Sequence, residues 1–415
     1  MESSATEMIH HVLLLLLFIL AVGMFAGRFA ALLKLPDVVL FIAAGMLIGP
    51  GLGLIHEPGS SVINQFILTA GSVLILFDGG RNLRLEGLRK VWLTVSMLSV
   101  PGVLVTVGIV GTGVHYLFGI DWMFALLVAA VIASTDPASI IPVFRQVSIR
   151  ERVRITVESE SAFNDATGSI VTFALLAAVE GGRLHVQTMT WDFLRTAIGG
   201  IVIGFILAAG VNYLVAHLRI GILQEYTTIA MIVVALSSYL AGDLLHVSGY
   251  MAAFAAGLIW GNAHIFGLSM EAKMNEMGMV ADNLTLMMRM LIFILLGSQV
   301  NFQALGHYFW PSLGVVLILM LAARPLTVLV SALPDRQSRW SWQELLFMMW
   351  VRETGVIPAA LSGIIIATGV AHGEIIASVT FMAIMLTILL QASTTAWAAR
   401  RLGLEINGEN SRNPA

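Results

Sequence analysis

Long apolar stretches alternate with short polar ones along this chain. A window of ~20 apolar residues is what a helix needs to cross ~30 Å of hydrocarbon. It selects thirteen stretches: 12–33, 36–55, 62–77, 91–118, 122–144, 155–179, 193–218, 225–244, 247–260, 280–300, 308–333, 345–370 and 375–399. The ninth is short and could be misjoined. Linkers are short throughout, as in one compact bundle. The pattern predicts an all-α polytopic membrane protein of about thirteen transmembrane helices. Composition agrees: 58% of residues are hydrophobic and 11% charged, against about 25% charged in soluble domains.

Charge then orients the bundle. With the N-terminus outside, the loops on the inner side hold seventeen of the 22 Lys and Arg residues, as the positive-inside rule requires. Arg183 and Arg195 fall outside, and Arg289, Arg324 and Arg352 fall within spans. A net charge of −3 and the lack of a basic run exclude a nucleic-acid partner. Zero cysteines exclude disulfides and thiolate metal sites. The N-terminus lacks the basic region and A-x-A site of a cleaved signal, so the first span is expected to be retained. The polar residues after Arg401 are too few for a regulatory domain.

Two spans carry helix breakers. The fifth contains ASTDPASIIP (133–142), where Pro137 removes a helical hydrogen bond and frees a carbonyl near Ala133. The twelfth contains RETGVIPAALSG (352–363), with Pro358 flanked by glycines. Simple proline kinks are the plainer alternative. Spans five and twelve are seven apart, so they run in opposite directions, and this favours two discontinuous helices of an inverted repeat.

The sixth span holds the costliest residues. ESESAFNDATG (158–168) lies between the arginine-rich VSIRERVRI and the apolar SIVTFALLAAV. Asp165 is about ten residues from the basic end, near mid-bilayer at ~1.5 Å per residue. An aspartate there costs roughly 3 kcal/mol on translocon scales. Helical periodicity puts Glu158, Ser161 and Asp165 on one face, and Glu160 with Asn164 on a neighbouring one. The first face offers oxygen ligands for a hard cation, and Thr135 with the freed carbonyls of span five could complete a cage. Glu160 and Arg324 are expected to pair, neutralising two charges that are each expensive alone. Pairing cannot absorb every acid, because Asp136, Asp165 and Asp78 outnumber the remaining arginines within spans. Asp282 and Arg289 lie seven apart on span ten and are expected to share a face. The acids at span ends and the ten histidines are read as solvated or packing residues.

These motifs resemble the cation–proton antiporter superfamily, specifically its NhaP/NHE-type Na⁺/H⁺ exchangers, over nearly the whole chain. Thr135, Asp136 and Pro137 match the family's break in one core helix. Glu160, Ser161, Asn164 and Asp165 match the E-S-x-x-N-D run of the next. Arg324 before Pro325 resembles the arginine that pairs with the family's glutamate, and Arg352 resembles that of the second broken helix. Asp78, in LILFDGGRNL, falls where relatives carry an acid near the ion path, and Glu158 is grouped with it. Two positions depart from the pattern. Glu353 stands beside Arg352 where the family has G-x-R-G-A, and Asp78 is one carbon shorter than the usual glutamate.

The resemblance implies an antiporter fold in which residues 91–180 and 303–401 form a moving core. Residues 1–90 and 221–302 would be the scaffold, 181–220 a linker helix and 402–415 a short cytoplasmic tail. It further implies a homodimer in the plasma (inner) membrane, exchanging Na⁺, or Li⁺, for H⁺ by alternating access. No cofactor is expected, and no G-x-x-x-x-G-K-[ST] points to ATP. Proton and cation would compete for Asp165, with Ser161 and Thr135 as further Na⁺ ligands. Asn-Asp, rather than Asp-Asp, goes with electroneutral exchange. K⁺/H⁺ exchange on the same fold is the first alternative and a cation channel the second, although neither a T-V-G-Y-G filter nor an arginine ladder occurs. An intramembrane serine protease would rest on His246, Ser248 and Gly249 alone, with no oxyanion partner in sight.

Overall fold

The computed structural model describes residues 2–33, 35–55, 57–59, 61–135, 144, 149–181, 186–216, 224–266 and 274–405. Among them, nine helices are long and apolar enough to cross a membrane, and four shorter apolar helices fall between these. The thirteen follow the expected stretches in order, the ninth included.

The helices used below are α1 (Glu2–Leu33), α2 (Asp37–Met46), α3 (Val62–Asn82), α4 (Leu85–Ser99), α5 (Pro101–Phe118), α6 (Trp122–Val131), α7 (Glu151–Gly181), α8 (Val186–Ala216) and α9 (Thr227–Leu244). They continue with α10 (Gly249–Gly261), α11 (Met274–Ser298), α12 (Phe309–Ile318), α13 (Arg324–Ala332), α14 (Trp342–Trp350), α15 (Val356–Ala367), α16 (Gly373–Leu386) and α17 (Ser393–Arg401). Span four is α4 and α5, with Pro101 opening the second piece, where its missing N–H does least harm. Spans eleven and thirteen each pass through a π-turn, Leu319–Ala323 and Thr387–Ala392.

Local chemistry sets many ends. The side chains of Ser61, Asp121 and Ser248 cap the N-termini of α3, α6 and α10. Ser341 and Glu344 form a capping box at α14. Gly119 stops α5 with a φ of 66° that a glycine adopts without strain.

Two departures from expectation have physical causes. The third span was expected to end at residue 77, with Arg81 in a loop, but α3 runs to Asn82. Asp78 and Arg81 are one turn apart, so their mutual neutralisation lets the helix outrun its apolar window. In span twelve the break lies at Val351–Gly355, before Pro358 rather than around it. A proline in the first turn of a helix forfeits no internal hydrogen bond, so Pro358 starts α15 instead of interrupting it.

Packing sorts the helices into two groups. In one, α10 lies buried against α3 and α8, and α11 packs on α2 and α3. The α3–α10 crossing is so close that a methyl group at Gly257 would strike the Phe77 carbonyl oxygen. In the other, α5 packs on α6, α6 on α7, α4 on α7, and α16 on both α12 and α15. The groups meet where α7 touches α8, α15 touches α3, and the Thr387–Ala392 turn touches α2.

Candidate functional site

The two broken spans meet, and arginines fill the breaks. The end of α6 gives way at Ile132, and Ala133, Ser134 and Thr135 are no longer helical. Arg352, from the break between α14 and α15, donates through Nη2 to the carbonyls of Ile132 (3.1 Å) and Ala133 (2.7 Å). The C-terminal end of a helix carries partial negative charge and bare carbonyls, so a guanidinium there satisfies both. The freed carbonyls of span five are offered by the sequence as possible members of a cation cage; in the structure those of Ile132 and Ala133 accept from Arg352.

Arg324 does the same for the other break. Its Nε donates to the Met348 carbonyl (2.8 Å) and its Nη2 to the Val351 carbonyl (3.1 Å), at the C-terminal end of α14. The rest of its fork clasps Glu160 on α7, with Nη1 on Oε1 and Nη2 on Oε2 at 2.9 Å. Both side chains are about 2% exposed. The expected Glu160–Arg324 pair is therefore formed, and it is bidentate.

One turn beyond Glu160, α7 faces Thr135. The Thr135 N–H donates to Asn164 Oδ1 (3.0 Å), and Asn164 Nδ2 donates to Thr135 Oγ1 (2.9 Å). Thr135 Oγ1 donates in turn to Ser161 Oγ (2.8 Å). Asn164 thus joins Ser161 on the Thr135 side, although periodicity had grouped it with Glu160. These three residues and Asp165 are all buried. Asp136 lies outside the described residues, and so does Pro137.

The remaining sequence candidates are dispersed. Glu158 pairs with Arg154 one turn back (3.6 Å). Asp78, counted above as lacking an arginine, accepts from Arg81 Nε (2.9 Å) and Nη2 (2.6 Å). Arg289 pairs with Asp37 on α2 (3.2 Å). Glu353 is buried and its Oε1 lies 3.4 Å from Thr395 Oγ1. The sequence reading missed Glu344, which is fully buried and held by Arg152, with Arg150 at 3.4 Å. Its signal was available: Ser341 and Glu344 have the spacing of a capping box, and two arginines open span six.

This arrangement suits ion transport. The two arginines at the breaks each have a partner of opposite sign or a carbonyl dipole, while the buried Asp165 follows Asn164 on the helix that meets Thr135.

Comparison with known proteins agrees. The family model described as "Sodium/hydrogen exchanger, transmembrane" matches residues 12–401. "Na(+)/H(+) antiporter 1" of Methanocaldococcus jannaschii is 32% identical over 418 residues, covering 94% of each chain. "K(+)/H(+) antiporter NhaP" of Alkalimonas amylolytica is 27% identical over 412 residues, covering 97% of this chain and 69% of that one. The solved structure of the sodium proton antiporter MjNhaP1 from M. jannaschii at pH 8 superposes with a TM-score of 0.82 at 29% identity, over 96% of this chain and 99% of that one. The chain is a multi-pass membrane protein that belongs to the transmembrane sodium/hydrogen exchanger family, a family of transporters and not of enzymes.

Proposed function

We propose that the protein exchanges Na⁺ for H⁺ by alternating access, with Asp165 as the carboxylate that takes either ion. One observation carries this reading. Glu160 and Arg324 hold each other, Arg352 is engaged by carbonyls, and Asp165 stands buried one turn on, next to Asn164 in sequence and four residues after Ser161 on the helix whose Ser161 and Asn164 meet Thr135. A hard monovalent cation prefers the oxygens that these side chains carry. A proton and a cation cannot neutralise the same carboxylate at once, so each turnover carries one or the other. If the loaded carboxylate is the form that crosses cheaply, the two fluxes are coupled without ATP.

Residues 91–180 and 303–401 are the moving body, tied across both breaks by Arg324 and Arg352. Residues 1–90 and 221–302 are the scaffold, 181–220 connect the two, and 402–415 form a tail. The charge distribution supports an outer N-terminus and a cytoplasmic C-terminus in the plasma membrane, and resemblance to the family supports a homodimer. A relative named as a sodium proton antiporter supports Na⁺. One named as a K⁺/H⁺ antiporter keeps K⁺ as the second reading, and Li⁺ suits the same oxygen ligands.

Purified protein in proteoliposomes under a pH gradient tests this. Addition of NaCl, LiCl or KCl should trigger proton movement by one or more of the cations. A steady conductance without cation-triggered proton movement would mean a channel, and neither would sink transport by this site.

A further inference from the structure

The last span carries an amide that the described residues leave unused. Gln391 sits in the Thr387–Ala392 π-turn with no exposed surface, and neither its Nε2 nor its Oε1 has a hydrogen-bond partner among the described residues. Burying both ends of an amide unmet is costly, and a leucine would fill the volume without that penalty. A π-turn locally widens a helix and recurs at functional sites.

The neighbours on the same stripe say where this amide points. Thr387 precedes it by four residues and Thr395 follows it by four, the spacing of one helix face. Thr387 Oγ1 accepts from the Thr354 N–H (3.0 Å). Thr395 Oγ1 lies 3.4 Å from Glu353 Oε1 and 2.7 Å from the Gln391 carbonyl oxygen. Gln391 therefore lies between two residues that both touch the break at 353–354, on the side facing it. Glu353, Thr354, Thr387 and Thr395 are all buried.

We propose that Gln391, Thr395 and Glu353 hold water behind the second break and together form a proton-binding site separate from Asp165, with Glu353 bearing the proton. A buried water needs two to four polar partners, and a carboxylate, a hydroxyl and an amide supply them. The amide suits this task because it is both donor and acceptor. Through one water it can serve Glu353 as a carboxylate, which accepts, or as a carboxylic acid, which donates. The step is a plain equilibrium in which a carboxylate oxygen takes up one proton from water and releases it again.

The charged groups around the site give it a consequence. Arg352 is the preceding residue. The Arg324–Glu160 pair reaches the same break through the Met348 and Val351 carbonyls. On α7, Glu158 is paired with Arg154, and Asp165 directly follows Asn164, which meets Thr135. α2, packed on the π-turn, carries Asp37, which Arg289 holds. α17 ends in Arg400 and Arg401, the former 3.7 Å from Glu405. α6 has no titratable side chain. Protonation of Glu353 thus removes a negative charge beside the arginine that joins the two broken spans, so this site sets the pH range of exchange. That consequence rests on the proposed function; the site itself does not.

The test uses the full chain and two variants, Gln391→Met and Glu353→Gln, singly and together. In detergent, Gln391→Met should lower the melting temperature by at least about 2 °C, and it should cost less in the Glu353→Gln background. A rise in melting temperature, as expected when a bare amide becomes hydrocarbon, would overturn the proposal. In proteoliposomes, both variants should shift the pH profile of Na⁺-driven proton movement in the same direction, leaving the apparent Na⁺ affinity within about twofold. Profiles that superpose on the parent protein's would also overturn it. If the parent protein moved no protons, the proposed function would fail and the melting arm would still decide this site.

Discussion

At the scale of single residues, two kinds of buried carboxylate stand within one turn and a half of α7. Glu160 meets a guanidinium on both oxygens, and each charge is there because the other is. Removing one partner strands a buried ion, at a cost of about 3–5 kcal/mol, whereas removing both strands none. Glu160→Ala and Arg324→Ala should each lose that much stability, and the double variant should recover part of it. Arg324 also holds the Met348 and Val351 carbonyls, so the arginine variant should be the worse of the two. Strictly additive losses in a double-mutant cycle would mean that the pair does not form in the membrane. Asp165 is the other kind. Asp165→Asn keeps the shape of the side chain and takes away its proton exchange. It should reduce cation-triggered proton flux to background in proteoliposomes, with yield and melting temperature close to the parent protein's. Retained flux would remove Asp165 from the centre of the mechanism.

At the scale of elements, most of the architecture could be read because the bilayer enforces it. Backbone polar groups have no water to turn to, so each crossing must be helical and apolar for most of its length. The thirteen stretches accordingly survive in order, and the non-helical segments that the arginines fill, among the described residues, begin at Ile132 in the span with TDP and at Val351 in the span with RETGVIP. What the one-dimensional pattern could not supply was the partner of each break. Arg352 meets carbonyls 219 and 220 residues away in sequence, and no periodicity links them. The end of α3 was misread because a window scores charges singly, whereas Asp78 and Arg81 cancel each other. The 334–341 loop was similarly opaque. There Asp335 accepts from Thr94 Oγ1 (2.6 Å), Ser338 Oγ (2.7 Å) and the N–H groups of Gln337 and Ser338, tying the loop to α4. Burial pushes this carboxyl's pKa up, but the four donors outweigh it, and the group titrates below its ordinary value of 3.8. A depressed folded-state pKa stabilises the fold above the ordinary value, and that contribution disappears as pH falls through the lowered one. Asp335→Asn should therefore destabilise the protein by about 1–3 kcal/mol at neutral pH. Melting curves taken at decreasing pH should show the gap closing below about pH 4; a gap that is constant with pH would mean the carboxylate's charge contributes nothing.

At the scale of the whole molecule, the balance of charge decides how voltage acts on transport. Arg324 with Glu160 is neutral as a pair, and in the proposed mechanism it travels with the moving body whatever Asp165 carries. If Asp165 crosses only when loaded, with one proton one way and one monovalent cation the other, no net charge moves per cycle. Asn164, where a second acid would stand in an Asp-Asp pair, cannot add a proton. Glu353 leaves this balance intact so long as it keeps one protonation state through a cycle, setting the pH range and not the charge carried. Proteoliposomes with opposed cation and proton gradients should then show no net proton movement when the two concentration ratios are equal. That null point should stay put when a membrane potential is imposed. Valinomycin would carry K⁺ itself, so the measurement belongs with Na⁺ as the transported ion, or with another ionophore. A null point displaced by voltage would require a second charge in each cycle. Repeating the measurement on Glu353→Gln would then locate it: a return to equal ratios would make Glu353 a carried proton site, and persistence of the displacement would send the search to acids elsewhere along the path, with Asp78 first.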